Sequence, residues 1–403
     1  MTLPAYASEA LAPYLDAIGV LLGSNTRKES LAMYVTGLMS SIERKTAETI
    51  AAMACTDPTR MEAWHQQLLH VVGQARWEDG PIRAYTAKHA LQAAGAENRT
   101  ESWVIDDTGF PKQGKHSVGV QRQYSGTLGK IGNCQIGVSL VATYANGQIP
   151  VDFALYLPES WAEDDLRRKK AKVPPTVQFQ TKPELALEMI RQAIASGVAR
   201  PSIVLADAAY GNNAEFRKAL RGLRLRIGVG IQANTNMWRA DKTGARRGPQ
   251  TCAQTLGEKA HFKRVTWAAG TKKPLTAKFA FLRVVVARDE LTSDGNGDAM
   301  WLVVERSDDE TEKVKYHLTD LPRVMSRRKI VWYLHQRYKT ERIYEEMKVE
   351  FGLDHYEGRS FVGWHHHVTA AMVCYNFVAA QQARLFSPQA GETGKSSPHH
   401  VAA

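Results

Sequence analysis

Apolar positions recur at helical spacing through the first quarter of the chain and at strand spacing beyond it. The helix-like stretches are separated by Gly, Asn, Asp and Pro, and they cover residues 11–22, 28–54, 60–75 and 82–94. From residue 99 onward the apolar runs are shorter and richer in Val and Ile. The pattern therefore predicts an α-helical N-terminal domain over residues 1–98, followed by an α/β region.

Two apolar runs of the α/β region end in carboxylates. The first predicts a strand from Trp103 that ends at Asp106 and Asp107, and the second predicts a buried strand from Ile203 that ends at Asp207. Between them the sequence predicts a hairpin of two strands and an amphipathic helix, over residues 135–144, 149–157 and 182–196. Mixed sheets of this kind place their chemistry at the carboxyl ends of strands.

The second half of the chain changes character twice. Residues 232–320 are basic and turn-rich with several β-prone pieces, so we predict a β-rich insertion there. Residues 323–351 contain neither Gly nor Pro and are predicted to form one long helix, and a last helix is predicted over 363–386. Residues 387–403 are small and polar and are predicted to be a disordered tail.

Positive charge is concentrated rather than spread evenly. The formal net charge is +11 over 403 residues. Residues 231–283 hold eleven Lys and Arg against two acids, Asp241 and Glu258, which gives this segment a net charge of +9. Such a block fits a polyanionic partner such as DNA, although a solubilising surface would look similar.

Cysteine spacing and hydropathy indicate a cytoplasmic protein. The four cysteines are widely separated and form no CxxC pair, as expected for reduced thiols. No uninterrupted apolar run reaches the length of a membrane span. The first residues lack the basic and apolar regions of a secretion signal, so we expect neither secretion nor a membrane partner.

One face of the predicted long helix carries alternating charges. At about 100° per residue, Arg337, Glu341 and Lys348 fall within roughly 40° of one another. A carboxylate between two cations stays ionised and is able to bind a hard metal ion, while the cations bind phosphate. The alternative is an ordinary solvated face with an ion pair between residues four apart.

Three carboxylates along the chain suit metal-assisted phosphoryl transfer. Asp107, Asp207 and Glu341 would hold two Mg²⁺ or Mn²⁺ ions if the fold brings the two strands and the helix together. Spacing alone is a weak indication, because Asp and Glu are common. The triplet His365-His366-His367 is less suited to a metal, because consecutive helical residues point in different directions, and structural or DNA-backbone roles are favoured there.

These residues resemble a known family, the DDE transposases of bacterial insertion sequences. The closest likeness is to the cut-and-paste group, which has an RNase H-like core and a β-strand insertion before the catalytic Glu. In that group a helix carries Tyr, Arg, Glu and Lys with two, three and six residues between them. Arg337, Glu341 and Lys348 match this motif, whereas the Tyr position is Leu334 here and is not carried over.

The resemblance assigns the three acids to positions of this chain. The family's first acid is followed by Thr, which indicates Asp107 rather than Asp106, and its second lies in an Asp-x-x-Tyr-Gly context, which matches Asp207. The third is Glu341; its rival Glu345 has no cation four residues before it or seven after it.

Two further residues are candidate DNA contacts. Trp301 resembles an insertion-domain tryptophan that stacks on a flipped base in relatives, although a core tryptophan in a strand would look the same. Lys112 follows the first acid in a basic loop and is a candidate phosphate contact, beside Arg337 and Lys348.

The likeness implies a fold, a reaction and its partners. The implied fold is α/β, an RNase H-like mixed sheet formed by residues 99–231 and 321–386, interrupted by the basic insertion at 232–320 and preceded by a helical DNA-binding domain at 1–98. The implied enzyme uses two Mg²⁺ or Mn²⁺ ions to cleave double-stranded DNA at transposon ends and to join the ends to target DNA. It would act as a homodimer in the DNA complex, in the bacterial cytoplasm at the nucleoid.

Two other functions remain open at the level of sequence. A domesticated DDE-type DNA endonuclease that no longer transposes would carry the same three acids. A non-catalytic DNA-binding protein would keep the basic insertion but would have no need of the acids.

Overall fold

A computed structural model describes residues 5–240, 250–257, 260–270, 273–287, 299–309, 311 and 313–386. The predicted tail at 387–403 lies outside these residues, as do parts of the basic insertion. Within the described residues, no helix combines the length and the apolar character that crossing a membrane requires.

The N-terminal region is helical, as the apolar spacing predicts. Its helices are α1 (Ala5–Leu22), α2 (Asn25–Leu38), α3 (Ala47–Ala54), α4 (Met61–Gly73) and α5 (Asp79–Ala93), with a short 3₁₀ turn at Pro58–Arg60. The single helix predicted over 28–54 is wrong, because the chain breaks after α2. Thr46 starts α3 anew, since its hydroxyl accepts from the Thr49 N–H and the Thr49 side chain accepts from the Thr46 N–H.

Five strands form the central part of the sheet. They are β1 (Ser102–Pro111), β3 (Lys130–Tyr144), β4 (Gly147–Tyr156), β5 (Val204–Ala206) and β6 (Ile227–Ile231), with β2 (Gln121–Ser125) on the far side of β3 from β1. Their spatial order is β4-β3-β1-β5-β6. The pairs β4–β3 and β3–β1 are antiparallel, and β1–β5 and β5–β6 are parallel. The fold is therefore RNase H-like, with a mixed sheet as predicted.

The first strand is longer than its apolar run suggested. Pairing with β3 continues from Ser102 to Pro111, so Asp106 and Asp107 lie in the middle of β1 and not at its end. The predicted turn at Thr108 is wrong, because Thr108 and Gly109 continue the ladder opposite Gly137 and Ile136. Asp207, by contrast, follows directly after β5, as predicted.

Helices cover both faces of this sheet. Helix α8 (Lys182–Ala195) packs on β3 and β4, and α10 (Ala214–Gly222) packs against α8. On the other face lie α13 (Tyr338–Phe351) and α14 (Phe361–Phe386); there Tyr344 bonds Ser139, and Trp364 packs edge-on against Phe110. Short helices complete the connections: α6 (Glu159–Ala162), α7 (Asp165–Lys170) and α9 (Ala208–Gly211).

The insertion extends the central sheet. It contributes β7 (Asn236–Arg239), β8 (Gln250–Thr251), β9 (Lys263–Ala268), β10 (Leu275–Val286), β11 (Met300–Arg306) and β12 (Lys315–Thr319), with the short helix α11 (Cys252–Leu256). Strand β12 pairs antiparallel with β6, so the insertion strands continue the same sheet in the order β12-β11-β10-β7-β8. A β-rich insertion is thus present, and its strand connection to the core was not predicted.

The long helix predicted over 323–351 is interrupted. Helix α12 (Arg327–Leu334) begins after Ser326, whose hydroxyl accepts from the Lys329 N–H. A 3₁₀ turn over His335–Arg337 then precedes α13. The absence of Gly and Pro could not reveal this break, because a 3₁₀ turn needs neither, and such mid-helix turns often mark functional sites.

The N-terminal helices and the sheet share one hydrophobic core. Helices α2, α4 and α5 pack against α14, which in turn packs against β4. The division into domains at residues 1–98, 99–231 with 321–386, and 232–320 stays a prediction.

Candidate active site

The site is built around Arg337, which ends the 3₁₀ turn before α13. Its guanidinium donates to the Asp106 carboxylate at 2.6 Å and lies 3.6 Å from the Glu341 carboxylate, one helical turn later. Burial alone would lower the pKa of Arg337, but the charges of Asp106, Asp207 and Glu341 outweigh it and the pKa is raised. Arg337 thus faces carboxylates from β1, from the end of β5 and from α13.

Asp106 and Asp107 point to opposite faces of β1, as neighbouring residues of a strand must. Asp106 faces α13 and Arg337. Asp107 faces α8, where its carboxylate accepts from the Lys182 ammonium at 2.9 Å and from the Tyr210 hydroxyl at 3.4 Å. The two acids are therefore not interchangeable, although sequence alone does not distinguish their environments.

The charge of Asp106 is strongly affected by its surroundings. Its pKa is raised to about 6: burial is the largest cause and the charges of Asp207 and Asp107 add to it, while Arg337 and the Asp107 N–H oppose it. The effect of burial is the larger one, because little water reaches the carboxylate. A bound cation would reduce the repulsion between Asp106 and the two neighbouring carboxylates.

Asp207 follows β5 and begins α9. Its carboxylate accepts from the N–H groups of Ala209 at 2.8 Å and Tyr210 at 3.4 Å, so it caps that short helix. Because β5 runs parallel to β1 with Ala206 beside Ile105, Asp207 lies next to Asp106 across the two strands. One acid therefore serves as a helix cap and also borders the site.

Glu341 is the most exposed of the predicted acids. Its side chain is 69% exposed, and Arg337 is the partner that the structure shows for it. Arg337 and Glu341 are in contact one helical turn apart, and this contact also fits an ordinary ion pair on a solvated face.

Lys348 lies further along α13. Its ammonium donates to the Thr108 hydroxyl at 2.9 Å and to the Gly109 carbonyl at 3.1 Å, and burial lowers its pKa. Lys348 therefore joins α13 to β1 just beyond Asp107, at the edge of the site.

The two remaining candidates lie away from Arg337. The Lys112 ammonium donates to the Tyr356 carbonyl at 2.7 Å, and burial lowers the pKa of Lys112.

Trp301 lies on β11, four strands from β1, or about 19 Å at ordinary strand spacing. The Arg283 guanidinium lies 4.9 Å above its ring, and its indole N–H has no partner among the described residues.

The carboxylate oxygens of the site are suitable ligands for a hard divalent cation, but the described side chains are not arranged around a common point. Carboxylates are the ligands that Mg²⁺ and Mn²⁺ prefer. In the described part of the chain, however, no three His, Cys, Asp or Glu side chains gather closely enough to hold one ion. As placed, Asp106 and Asp107 pair with Arg337 and Lys182, so a cation would compete with these two side chains.

Sequence reasoning missed three contributors to the site. Asp106 was set aside in favour of its neighbour, and Lys182 and Tyr210 were not considered. Tyr210 lies in the Asp-x-x-Tyr-Gly motif that indicated Asp207, so its place near the acids was within reach of the sequence. Lys182 lies 75 residues from its partner and carries no motif, so only the fold reveals it.

The histidine triplet lies in α14 and is hydrogen-bonded to the protein, with His366 and His367 buried. The His365 imidazole donates to the Phe361 carbonyl at 2.9 Å, the His366 imidazole bonds the Val72 and Trp77 carbonyls, and the His367 imidazole bonds the Tyr34 hydroxyl. These contacts are structural, as favoured from the sequence.

Comparison with known proteins gives two matches. A family model described as DDE superfamily endonuclease matches residues 18–274, a span that contains Asp107 and Asp207 and ends before Glu341. The probable transposase for insertion sequence element IS701 of Microchaete diplosiphon is 28% identical over 199 residues. That alignment covers 49% of this chain and 47% of the relative, so the chain matches about half the length of that protein.

Proposed function

The chain belongs to the DDE superfamily of endonucleases, and from this premise we propose that it is a transposase. It would cleave DNA at the ends of its element and join those ends to target DNA by strand transfer. The observation that carries this proposal is the position of Arg337, which pairs with Asp106 and faces Asp207 and Glu341. When DNA and metal ions bind, the carboxylates would bind the metal ions instead of Arg337, and Arg337 would bind a phosphodiester instead of the carboxylates.

The proposed catalytic acids are Asp106, Asp207 and Glu341, because these three lie around Arg337 on one face of the sheet. They would hold two Mg²⁺ or Mn²⁺ ions, which when bound supply Lewis-acid catalysis and an activated water. The exposure of Glu341 supports this role, because its carboxylate is free to turn from Arg337 toward an incoming ligand at little cost. Asp107, which the family motif indicates as the first acid, is the second candidate, because it points to the other face of β1 and pairs with Lys182.

The proposed phosphate contacts are Arg337, in the turn before α13, and Lys348 on α13. Arg337 presents a planar fork of donors that fits a phosphate in two-point contact, and Lys348 adds a point charge beside Thr108 and Gly109 of β1. Trp301 and Lys112 remain proposed DNA contacts outside this centre. For Trp301, the half-buried ring beneath Arg283 supports a role in holding a base by stacking.

The proposed partners are double-stranded element ends and target DNA. Two copies of the chain would act together in the DNA complex, because two ends must be joined to one target. The net charge of +11 supports DNA binding in the cytoplasm at the nucleoid.

A joining assay tests the proposal against its two rivals. A linear donor carrying both ends of the element's own DNA is incubated with a supercoiled target plasmid and Mg²⁺. The proposal predicts donor–plasmid products that are lost in the Glu341→Gln variant. Cleaved ends without joined products would support a DNA endonuclease that does not transpose, and intact bound DNA would support a non-catalytic binding protein.

A further inference from the structure

The hairpin of β2 and β3 carries a large exposed apolar pair. Tyr124 lies directly opposite Ile131 in the ladder, and the two side chains are 64% and 60% exposed. Opposed residues of an antiparallel pair project to the same side, so the ring and the branched side chain form one surface. An edge hairpin with such a surface is usually covered by a partner.

The turn of this hairpin is fastened to the active-site strand. The Gly109 N–H donates to the Thr127 hydroxyl at 3.2 Å, and the Lys348 ammonium donates to the same hydroxyl at 3.4 Å. Ser125 packs so closely on Gly109 that a Cβ at that position would overlap its hydroxyl. The hairpin is therefore anchored two residues beyond Asp107, beside α13.

The chain around the hairpin carries basic residues but no acidic ones. Between Thr108 and Val151 the sequence contains no Asp or Glu. Arg122 is exposed and lies two residues before Tyr124, so it projects to the same side, whereas Lys130 lies opposite Ser125 and projects to the other side. A surface with an arginine, an exposed aromatic ring and no acids is complementary to nucleic acid.

We propose that Arg122, Tyr124 and Ile131, here called the hairpin patch, bind the DNA strand that lies next to the active-site acids. Tyr124 stacks on a base or sugar of that strand, Ile131 supports the ring, and Arg122 contacts a phosphate. This inference rests on the proposed function, because it takes the carboxylates around Arg337 as the place where DNA is cut.

A second copy of the chain is the other possible occupant of the hairpin patch. Stable protein interfaces bury about 800 Å² on each partner and use some 20–30 residues a side. Two apolar side chains beside Arg122 offer much less, and two copies of such a patch would bring like charges together. The charge and the position beside the acids therefore favour DNA.

Site-specific crosslinking tests this directly on the full chain. Benzoylphenylalanine replaces Tyr124, and the protein is irradiated in EDTA with a 40-bp duplex that carries the element's own end. We expect a protein–DNA crosslink at position 124, and none when the same residue replaces Val20, which is 79% exposed on α1. A crosslink to a second protein chain, or no crosslink while the duplex is bound, would overturn the inference.

Affinity measurements provide an independent test. Tyr124→Ala is expected to weaken binding of the same duplex by about 5- to 100-fold, whereas Tyr124→Trp retains it. Arg122→Gln is expected to reduce the slope of log affinity against log salt by about 0.9. Val20→Ala serves as the matched control and leaves both unchanged; equal affinity of Tyr124→Ala and wild type would contradict the inference.

These outcomes separate the hairpin patch from the proposed function. If wild type cleaves the element end but position 124 neither crosslinks nor affects binding, the inference alone fails. If position 124 crosslinks to DNA and no cleavage is found under any metal condition, the transposase proposal fails while the patch stands.

Discussion

Two adjacent acids show how finely the chemistry depends on residue position. Asp106 and Asp107 have the same side chain and lie on the same strand, yet one pairs with Arg337 and the other with Lys182. The sequence identifies the pair, because an apolar run leads into it. It cannot tell which acid faces α13, since that depends on the register of β1 and on the path of a helix some 230 residues later.

Replacing each acid in turn assigns the first metal ligand. We expect Asp106→Asn to reduce Mg²⁺-dependent cleavage of an element end by at least ~100-fold with DNA binding retained. Asp107→Asn is expected to cost about 10-fold, because it leaves Lys182 without its partner on the other face of β1 but keeps the ligand. Single-turnover cleavage rates of both variants check this; a reversed order would assign the first acid to Asp107.

At the scale of elements, α13 and α14 were predicted with different success. The spacing of apolar residues predicted that α14 starts at residue 363, and the helix begins two residues earlier, at Phe361. It did not predict the 3₁₀ turn before α13, which tertiary contacts explain. There His335 stacks on Trp267 of β9 at 4.0 Å, and its imidazole lies 3.3 Å from the Glu305 carboxylate of β11. Contacts with the insertion thus act on the turn that carries Arg337.

Burial of the α14 histidines predicts loss of stability in acid. Burial lowers the pKa of both His365 and His367 to about 4, and that of His366 is also lowered. Unfolded histidines have a pKa near 6.5, so between about pH 6.5 and 4 the unfolded state binds more protons. Stability is therefore complete above pH 6.5 and falls as the pH falls, by on the order of 2 kcal/mol per histidine at pH 5.

Denaturant unfolding at pH 7.5 and pH 5 measures this loss. His367→Gln is expected to lose less stability between the two pH values than wild type, because one buried titrating group is gone. His70→Gln, at an exposed position of α4, is the matched control and should follow wild type. A wild-type protein equally stable at both pH values would refute the argument.

At the scale of the whole molecule, the sheet connects the basic insertion to the catalytic core. The sequence predicted the order of elements, the RNase H-like class and the existence of a β-rich insertion, because each follows from local patterns or from the family likeness. It did not predict that β12 pairs with β6, since that contact joins residues about 90 positions apart. It also missed the hairpin of β2, because the residues of this strand are polar and resemble a loop.

The most direct test of the account is Mg²⁺-dependent cleavage of a duplex that carries the element's own end. Wild type is compared with Glu341→Ala and with Glu345→Ala, an exposed acid one turn later on α13. The account predicts that wild type and Glu345→Ala cleave, and that Glu341→Ala binds the duplex but does not cut it. Cleavage by Glu341→Ala at the wild-type rate would contradict the assignment of the third acid.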